Sequence, residues 1–478
     1  MTLIRPTIKL LAAGCTLLSG CSLAPKYQRP AAPVAATYSL DAPTASNPAA
    51  VPAADLAWQQ FFGDPRLRGI IQLALQNNRD LRVAALNVER VRAIYGIQRS
   101  VLIPSLDATG DAVRQRTPAT LSPSGQPVTG SVYEVGLQIP SYEVDFFGRV
   151  MSLRNQVLHQ YLATEEARRS AQIALISAVA RQYLGSLAAD EQLALARQTL
   201  RAAEQSYELN RQSFEGGVTS ELDLRTAEGQ REAVRASVAA LEQQAAQLAN
   251  GLVLLVGAPL PADFPPAGSL ATQALVEDLP EGLPADLLVR RPDVRAAEEV
   301  LQAANANIGV ARAAFFPSIK LTAFGGSAST ELSGLFESGS GRWSFAPSIT
   351  LPIFAGGRNK AQLDVAWIEQ RIEIANYEQA IQNAFREVAD ALAVRSVIGR
   401  TVTAQQARVN AARRRYELTQ QRFDAGVDPF LSVLLAQQEL FAAEQSLIDA
   451  RLARLANLTA LYSALGGGWQ NDTPTAQP

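Results

Sequence analysis

Two stretches of this chain, residues 149–215 and 358–424, contain no proline and one glycine each, Gly185 and Gly399. Proline inside a helix costs about 3 kcal/mol and glycine about 1 kcal/mol, so neither stretch carries a strong breaker. At 1.5 Å per residue, each could run as one helix about 100 Å long. Helices of that length need lateral partners, which points to coiled-coil packing. Proline is also missing between Pro140 and Pro259, between Pro352 and Pro429, and between Pro429 and Pro474. Each long stretch is therefore followed by a second helical one.

The similarity of the two stretches is an internal duplication. "YELNRQSFEGGVTSELDL" (207–224) and "YELTQQRFDAGVDPFLSV" (416–433) share eight of eighteen positions, 209 residues apart. Asp80 and Pro104 align with Asp293 and Pro317, and "YEVDFFGR" (142–149) aligns with "LPIFAGGR" (351–358). A period this long marks a doubled structural unit, unlike the short periods of solenoids. The expected organisation is a first repeat over 58–285, with strands near 105–113 and 131–141 and helices near 149–215 and 219–256. A second repeat over 286–465 has strands near 318–327 and 342–354 and helices near 358–424 and 429–464.

Periodicity assigns faces. Val234, Val238, Leu241, Ala245, Leu248, Leu252 and Leu255 alternate steps of four and three, a heptad seam with left-handed supercoiling. Ala163, Ala167, Ala171, Ala174 and Ala178 form a second seam, whose small side chains predict close helix approach. In the strands, Tyr133, Val135, Leu137 and Ile139, and likewise Trp343, Phe345, Pro347, Ile349 and Leu351, alternate with small or polar residues. Apolar outside and polar inside is the pattern of a membrane barrel around water. Four strands cannot close such a barrel, whereas three copies supply twelve and cyclic symmetry joins them. The fold class expected is mainly α with a membrane β-barrel: a trimeric 12-stranded barrel continued by a long α-helical coiled-coil barrel.

The N-terminus, "MTLIRPTIKLLAAGCTLLSGC", has two basic residues, a short apolar run and a cysteine at its end. It reads as a secretory signal over 1–20, too short to span a bilayer stably. Residues 21–57 are rich in proline and alanine without apolar periodicity, an extended strap. Residues 466–478 read as a disordered tail. The net charge of −2 argues against a nucleic-acid partner. One histidine, His159, cannot complete a zinc site or a Cys–His pair, and no cofactor motif is visible. Neither an enzyme, a metal protein nor a cofactor protein is expected.

Leu18-Ser19-Gly20-Cys21 resembles a bacterial lipobox, which implies lipidation of Cys21. Together with the two halves, the "F-x-x-G-V-x-x-x-L" turns and the "YEVDFFGR" junction, it makes the chain similar to the outer membrane factor family, the TolC-like export ducts, in the lipoprotein branch serving multidrug efflux. The resemblance covers essentially the whole mature chain. It implies a homotrimer in the outer membrane, lipid-anchored at the periplasmic leaflet. It also implies a periplasmic adaptor, an inner-membrane efflux pump and a mixed equatorial region from parts of 190–205, 256–285, 395–410 and the C-terminal end. The two repeated turns would form the periplasmic mouth. Phe214, Gly217, Val218, Phe423, Gly426 and Val427 are then the hairpin tips that dock the adaptor, with Val218 and Val427 opening the return helices. The implied gate comprises Asp223, Arg422, Asp424, Asp428, Leu431 and Leu435; many relatives carry an acidic residue where this chain has Leu435. Arg–carboxylate pairs between neighbouring copies would hold it shut. Two other readings stay open here: a coiled-coil envelope scaffold without a pore, and an exit duct for secreted protein.

Overall fold

The computed structural model describes residues 22–35, 37–38, 52–261, 264–277, 279–280 and 284–469. Cys21, the signal segment, residues 39–51 and residues 470–478 lie outside them. A 3-10 turn (Ala53–Asp55) and helices α1 (Trp58–Phe61) and α2 (Pro65–Asn77) precede the first repeat's α3 (Arg79–Ser100), β1 (Asp107–Thr117), β2 (Val128–Val144), α4 (Arg149–Glu215) and α5 (Glu221–Val256). The second repeat has α6 (Pro284–Arg290), α7 (Pro292–Ala313), β3 (Ser318–Ser329), β4 (Gly341–Thr350), α8 (Arg358–Asp424) and α9 (Phe430–Ala464).

Several expected bounds move, for physical reasons. β1 and β2 reach past the expected 113 and 131 because Arg114, Gln115 and Arg116 still pair with Ser131, Gly130 and Thr129. Backbone ladders accept polar side chains on a wet face. β4 stops at Thr350, short of 354, where Pro352 could donate no ladder hydrogen bond. The expected mixed region is only partly mixed. Residues 190–205 and 395–410 lie inside unbroken helices, whereas the described residues of 256–285 are largely irregular, with a 3-10 turn (Leu270–Thr272) and a bridge from Phe62 to Leu275. Arg395 joins the two kinds of structure by donating to the carbonyls of Leu279 (2.7 Å) and Glu277 (3.0 Å).

The chain forms two compact units, each built from both repeats. The first comprises Met1–Ala31, Asn87–Thr164 and Ala296–Tyr377. Its antiparallel sheet has the order β1-β2-β3-β4. Leu137, Gly325 and Trp343 line up across three strands, as do Ile139, Ala323 and Phe345. The apolar face is thus continuous, with small residues on β3 beneath larger neighbours. On the opposite face Glu134 pairs with Arg342 at 2.6 Å, and Phe324 covers Gly136 and Gly326 so closely that a Cβ at either would meet its ring at 2.7 or 2.9 Å. A bulge between Ile139 and Tyr142 falls at Pro140, which has no N–H for the ladder.

Helices in this unit follow the order of the strands. Tyr95 of α3 stacks on Tyr161 of α4, and His159 of α4 meets Glu299 of α7 at 2.7 Å. Asn305 and Asn307 of α7 hydrogen-bond Gln370 and Glu369 of α8. The order is therefore α3-α4-α7-α8, with α3 and α8 at the edges. The turn from β2 to α4 is locked by Arg149, bidentate to Glu143 at 2.7 and 2.6 Å, and by Asp145 accepting from the Met151 amide. Phe147 stacks on Phe316, packing this junction against the one that enters β3.

The second unit comprises Ala32–Leu86, Glu165–Arg295 and Glu378–Pro478. Its core gathers Phe61, Phe62, Leu67, Ile70, Ile71, Ile176, Leu184 and Tyr462, all essentially buried. Arg291 is buried too, and its guanidinium donates to Asp293, Glu387 and the Ala464 carbonyl. The heptad seam packs as expected: Val234, Val238, Leu241 and Leu252 are buried, each contributing about 1.5–3 kcal/mol. The alanine seam is only partly covered within the chain, with Ala163 buried and Ala171 and Ala178 half-buried. Ala167 and Ala174 are exposed, and α4 buries Ile173, Ile176, Val179 and Tyr183 instead, because the larger residues remove more apolar surface from water. The tail expected to be disordered is ordered as far as Trp469. Gly466, Gly467 and Gly468 are buried, and the Trp469 ring lies 5.0 Å from the Arg169 guanidinium. Glycine is required at 467, where a Cβ would fall 2.3 Å from the Tyr462 ring.

Tyr462 ties this core together. It stacks on Phe61 at 4.0 Å and donates to the Leu56 carbonyl at 2.6 Å, and burial pushes its hydroxyl pKa far up. Tyr462→Ala should destabilise the protein by about 3–5 kcal/mol and Tyr462→Phe by about 1 kcal/mol. Denaturant midpoints of the detergent-solubilised protein measure both.

Candidate functional site at the helix-hairpin tips

The duplicated stretch forms two helical hairpins, α4–α5 and α8–α9. Each has its own apolar seam: Leu193, Ala196, Val238 and Leu241 in the first, Val409, Ala412, Ala443 and Leu447 in the second. Gln438 of α9 donates to Gln230 of α5 at 2.6 Å, setting the hairpins side by side.

Both turns use one backbone device. The Val218 amide bonds the Ser213 carbonyl at 2.8 Å and the Gly217 amide bonds that of Phe214 at 2.9 Å. Val427 to Arg422 (2.9 Å) and Gly426 to Phe423 (2.8 Å) repeat the pattern. This is a Schellman motif, which needs a left-handed residue. Gly217 and Gly426 supply it, with φ of 72° and 73°. A side chain there would meet open space, so the torsion angle is what demands glycine. Val218 and Val427 stay in the turns, strongly exposed, and do not open the return helices as expected. Those helices begin at Glu221 and Phe430, after their N-caps Ser220 and Pro429.

The caps make the two tips unequal. In the first, Ser220 accepts from the Asp223 amide and Asp223 accepts from Ser220, a capping box. The Asp223 carboxylate is therefore engaged on its own helix. In the second, Pro429 offers no side-chain cap. Arg422 instead grips Asp428 with two hydrogen bonds, of 2.7 and 2.9 Å. That carboxylate lies six residues along the same chain. Asp424 accepts from Gln420 at 2.9 Å, and Phe423 meets the Phe430 ring edge-on at 5.9 Å. Phe214 is partly exposed. Leu431 and Leu435, one helical turn apart, are about half exposed, while Val433 and Leu434 between them are buried. The two leucines thus point away from their own chain's core.

Some partners escape a sequence reading. Arg211 pairs with Glu208 and Glu215, and its hydrogen bonds bring the Glu208 carboxyl pKa down to about 2. Arg231 lies 3.9 Å over the Tyr207 ring, bracing the first hairpin. The tyrosine heading both copies of the repeat is the available signal. Among the described residues no group of three or more His, Cys, Asp or Glu converges on a metal position. No helix among them is long and apolar enough to cross a membrane, which says nothing of a β-barrel.

Hydrogen bonds from Arg422 lower the Asp428 pKa below the ordinary carboxyl value. Its stabilising effect is present above the unfolded-state pKa and is lost only as pH falls through the depressed value. The protection the pair gives the Gly426 and Val427 amides should therefore stay constant between pH 5 and 8, once intrinsic exchange rates are divided out. Asp428→Asn should accelerate hydrogen exchange there about twofold to fivefold, with Gly217 and Val218 unaffected.

The family model described as outer membrane efflux protein matches residues 70–258 and 283–467. The chain is 50% identical over 461 residues, 95% of each sequence, to "Toluene efflux pump outer membrane protein TtgF" of Pseudomonas putida. A solved structure described as the open state of the Neisseria gonorrhoeae MtrE outer membrane channel is similar at 42% identity and TM-score 0.87, covering 95% of this chain and all of that one. A crystallised membrane protein from Pseudomonas aeruginosa is similar at 44% identity and TM-score 0.88, covering 93% of this chain and all of that one. With both repeats matched, this chain belongs to the outer membrane efflux protein family.

Proposed function

We propose that three copies of this chain form a passive duct through the outer membrane, the exit component of a tripartite pump that expels small molecules. One observation carries the reading. Strands and helices share an order, β1-β2-β3-β4 and α3-α4-α7-α8, and both layers end in unpartnered edges. The edge helices expose apolar stripes, Ile94 and Ile97 on α3 and Val365, Ile368 and Ile372 on α8. β4 is exposed along its length. Bare edges are not tolerated in hydrocarbon, so β4 of one copy pairs with β1 of the next while α8 packs on α3. The twelve strands and twelve helical segments close together.

The acyl anchor at Cys21, the periplasmic adaptor and the inner-membrane pump belong to the same reading. The relative named for toluene efflux supports small apolar cargo. The hairpin tips serve as the mouth. Val218, Val427, Phe214 and Phe423 present apolar surface to an adaptor, and rings of Leu431 and Leu435 narrow the bore by excluding water. The Arg422–Asp428 pair holds the second tip in the closed shape. It is exposed, and such pairs are weak, so partner binding can displace it.

The purified protein should run as a heat-labile trimer in detergent and conduct ions in planar bilayers. Ile97→Glu should shift it to monomers without channels. Arg422→Glu should leave the trimer intact and raise single-channel conductance about twofold or more, by adding like charge beside Asp428. A detergent-indifferent monomer would refute the duct, and unchanged conductance in Arg422→Glu would refute the gate.

A further inference from the structure

Residues 23–29 lie along a single stripe of α7. Arg312 donates to the Leu23 carbonyl at 3.0 Å, and Asn305 to that of Pro25 at 2.8 Å. Between them Ala24 sits against Gly309, where a Cβ would lie 2.9 Å from the Ala24 nitrogen and 2.6 Å from Ser152 Oγ. Further along, Glu298 accepts from the Tyr27 hydroxyl at 3.0 Å and from Arg29 through Nε and Nη2, both at 2.8 Å. Positions 312, 309, 305 and 298 are spaced by three, four and seven, so they share one helix face. The Glu298 side chain is only 8% exposed and depends on these partners, because a buried carboxylate without them is costly. Tyr377, fully buried, stands close enough for the Glu298 and Arg29 charges to act on its hydroxyl.

The lengths of the two segments match. From Arg312 to Glu298 is about 21 Å of helix at 1.5 Å per residue. From Leu23 to Arg29, six steps of about 3.3 Å give about 20 Å of extended chain. Residues 23–29 therefore have no slack along this face. Its upstream end is held at Arg312, the penultimate residue of α7, whose guanidinium also lies 5.3 Å over the Trp367 ring. β3 begins at Ser318, a short link beyond.

We propose that this α7 stripe is a docking rail, and that the Arg29–Glu298 latch keeps the strap taut and so fixes the level, relative to the strands, at which Cys21 meets the bilayer. The inference rests on the acyl anchor proposed above. An anchor on a slack leash samples many depths. On a taut one, lipid attachment delivers the strand bases to the membrane surface at a single level, raising the effective concentration for insertion. Arg29 is a positioning residue in this scheme: it touches neither lipid nor cargo.

The test is a double-mutant cycle on the full chain in outer membranes, comparing the native protein, Arg29→Ala, Cys21→Ser and the double variant. The readouts are the fraction present as heat-labile oligomer and the intact mass of the N-terminus. Arg29→Ala should lower the assembled fraction about threefold to tenfold when Cys21 is acylated, with no further loss in the Cys21→Ser background. Protease cleavage within 22–35 should rise about tenfold. A four-residue Gly/Ser insertion between Ser22 and Leu23 leaves the Arg312, Asn305 and Glu298 contacts in place and should reproduce the assembly loss. An equal loss from Arg29→Ala in both backgrounds, or full assembly with the insertion, overturns the rail as a depth-setting device. An unacylated Cys21 in the native protein overturns the anchor itself, and the mass measurement separates that outcome from the others.

Discussion

A sheet of four strands has two free edges, and hydrocarbon supplies neither donors nor acceptors for them. Most of the architecture answers that constraint. β2 and β3 pair across the duplication and make one sheet from two repeats. The pairing is held in register by Phe324 lying on Gly136 and Gly326, and by a bulge where Pro140 interrupts the ladder. What remains open within the chain, β1 and β4, is what the proposed ring of copies would pair. The helices inherit the same unfinished edges, because each strand leads through a short locked junction such as Glu143–Arg149 into the helix layer. In the proposed duct, closure of the ring would thus follow from backbone hydrogen bonding before any side-chain preference is considered.

The tips obey a different economy of interactions. The Schellman turns at Gly217 and Gly426 are equivalent in backbone, yet their surroundings are not. A capping box is local: Ser220 and Asp223 belong to the helix they start, and nothing outside it need move for them to stay satisfied. The Arg422–Asp428 contact spans the turn, joining the last residues of one helix to the approach of the next. Weak contacts of this kind would suit the proposed gate, whose equilibrium a partner has to shift, since a deep energy well would demand an equally large differential affinity.

Much of this fold is readable from the chain alone, for identifiable reasons. The long helices announce themselves because Gly185 and Gly399 are the sole weak points across 149–215 and 358–424. The strands show because large apolar residues alternate with small or polar ones, giving the sheet two unlike faces. The tip glycines show because a left-handed residue has few substitutes. Other features have no local signature. Arg29 and Glu298 are 269 residues apart, and a proline-rich segment looks the same whether it floats or is latched. Gly466 to Gly468 have the composition of a disordered tail, although Gly467 has no room for a Cβ beside the Tyr462 ring and Gly466 and Gly468 adopt positive φ. The alanine seam misleads for a related reason: spacing identifies a stripe, but Ile173, Ile176 and Val179 beside it compete for the same interior with larger surfaces. Asp428 is visible as a charge, while the identity of its partner is not, because turn geometry cannot be read from composition.

The unequal caps have an evolutionary corollary. Duplication produced two turns that keep the same hinge geometry, but only one depends on a solvent-exposed ion pair for its set. In the proposed duct, substitutions around Asp428 would therefore retune how readily the passage yields while the sister turn, secured by its own helix start, preserves the framework. On that reading, doubling a motif separates adaptability from integrity, leaving one copy free to drift toward new partners at little risk to the tube that both copies would build.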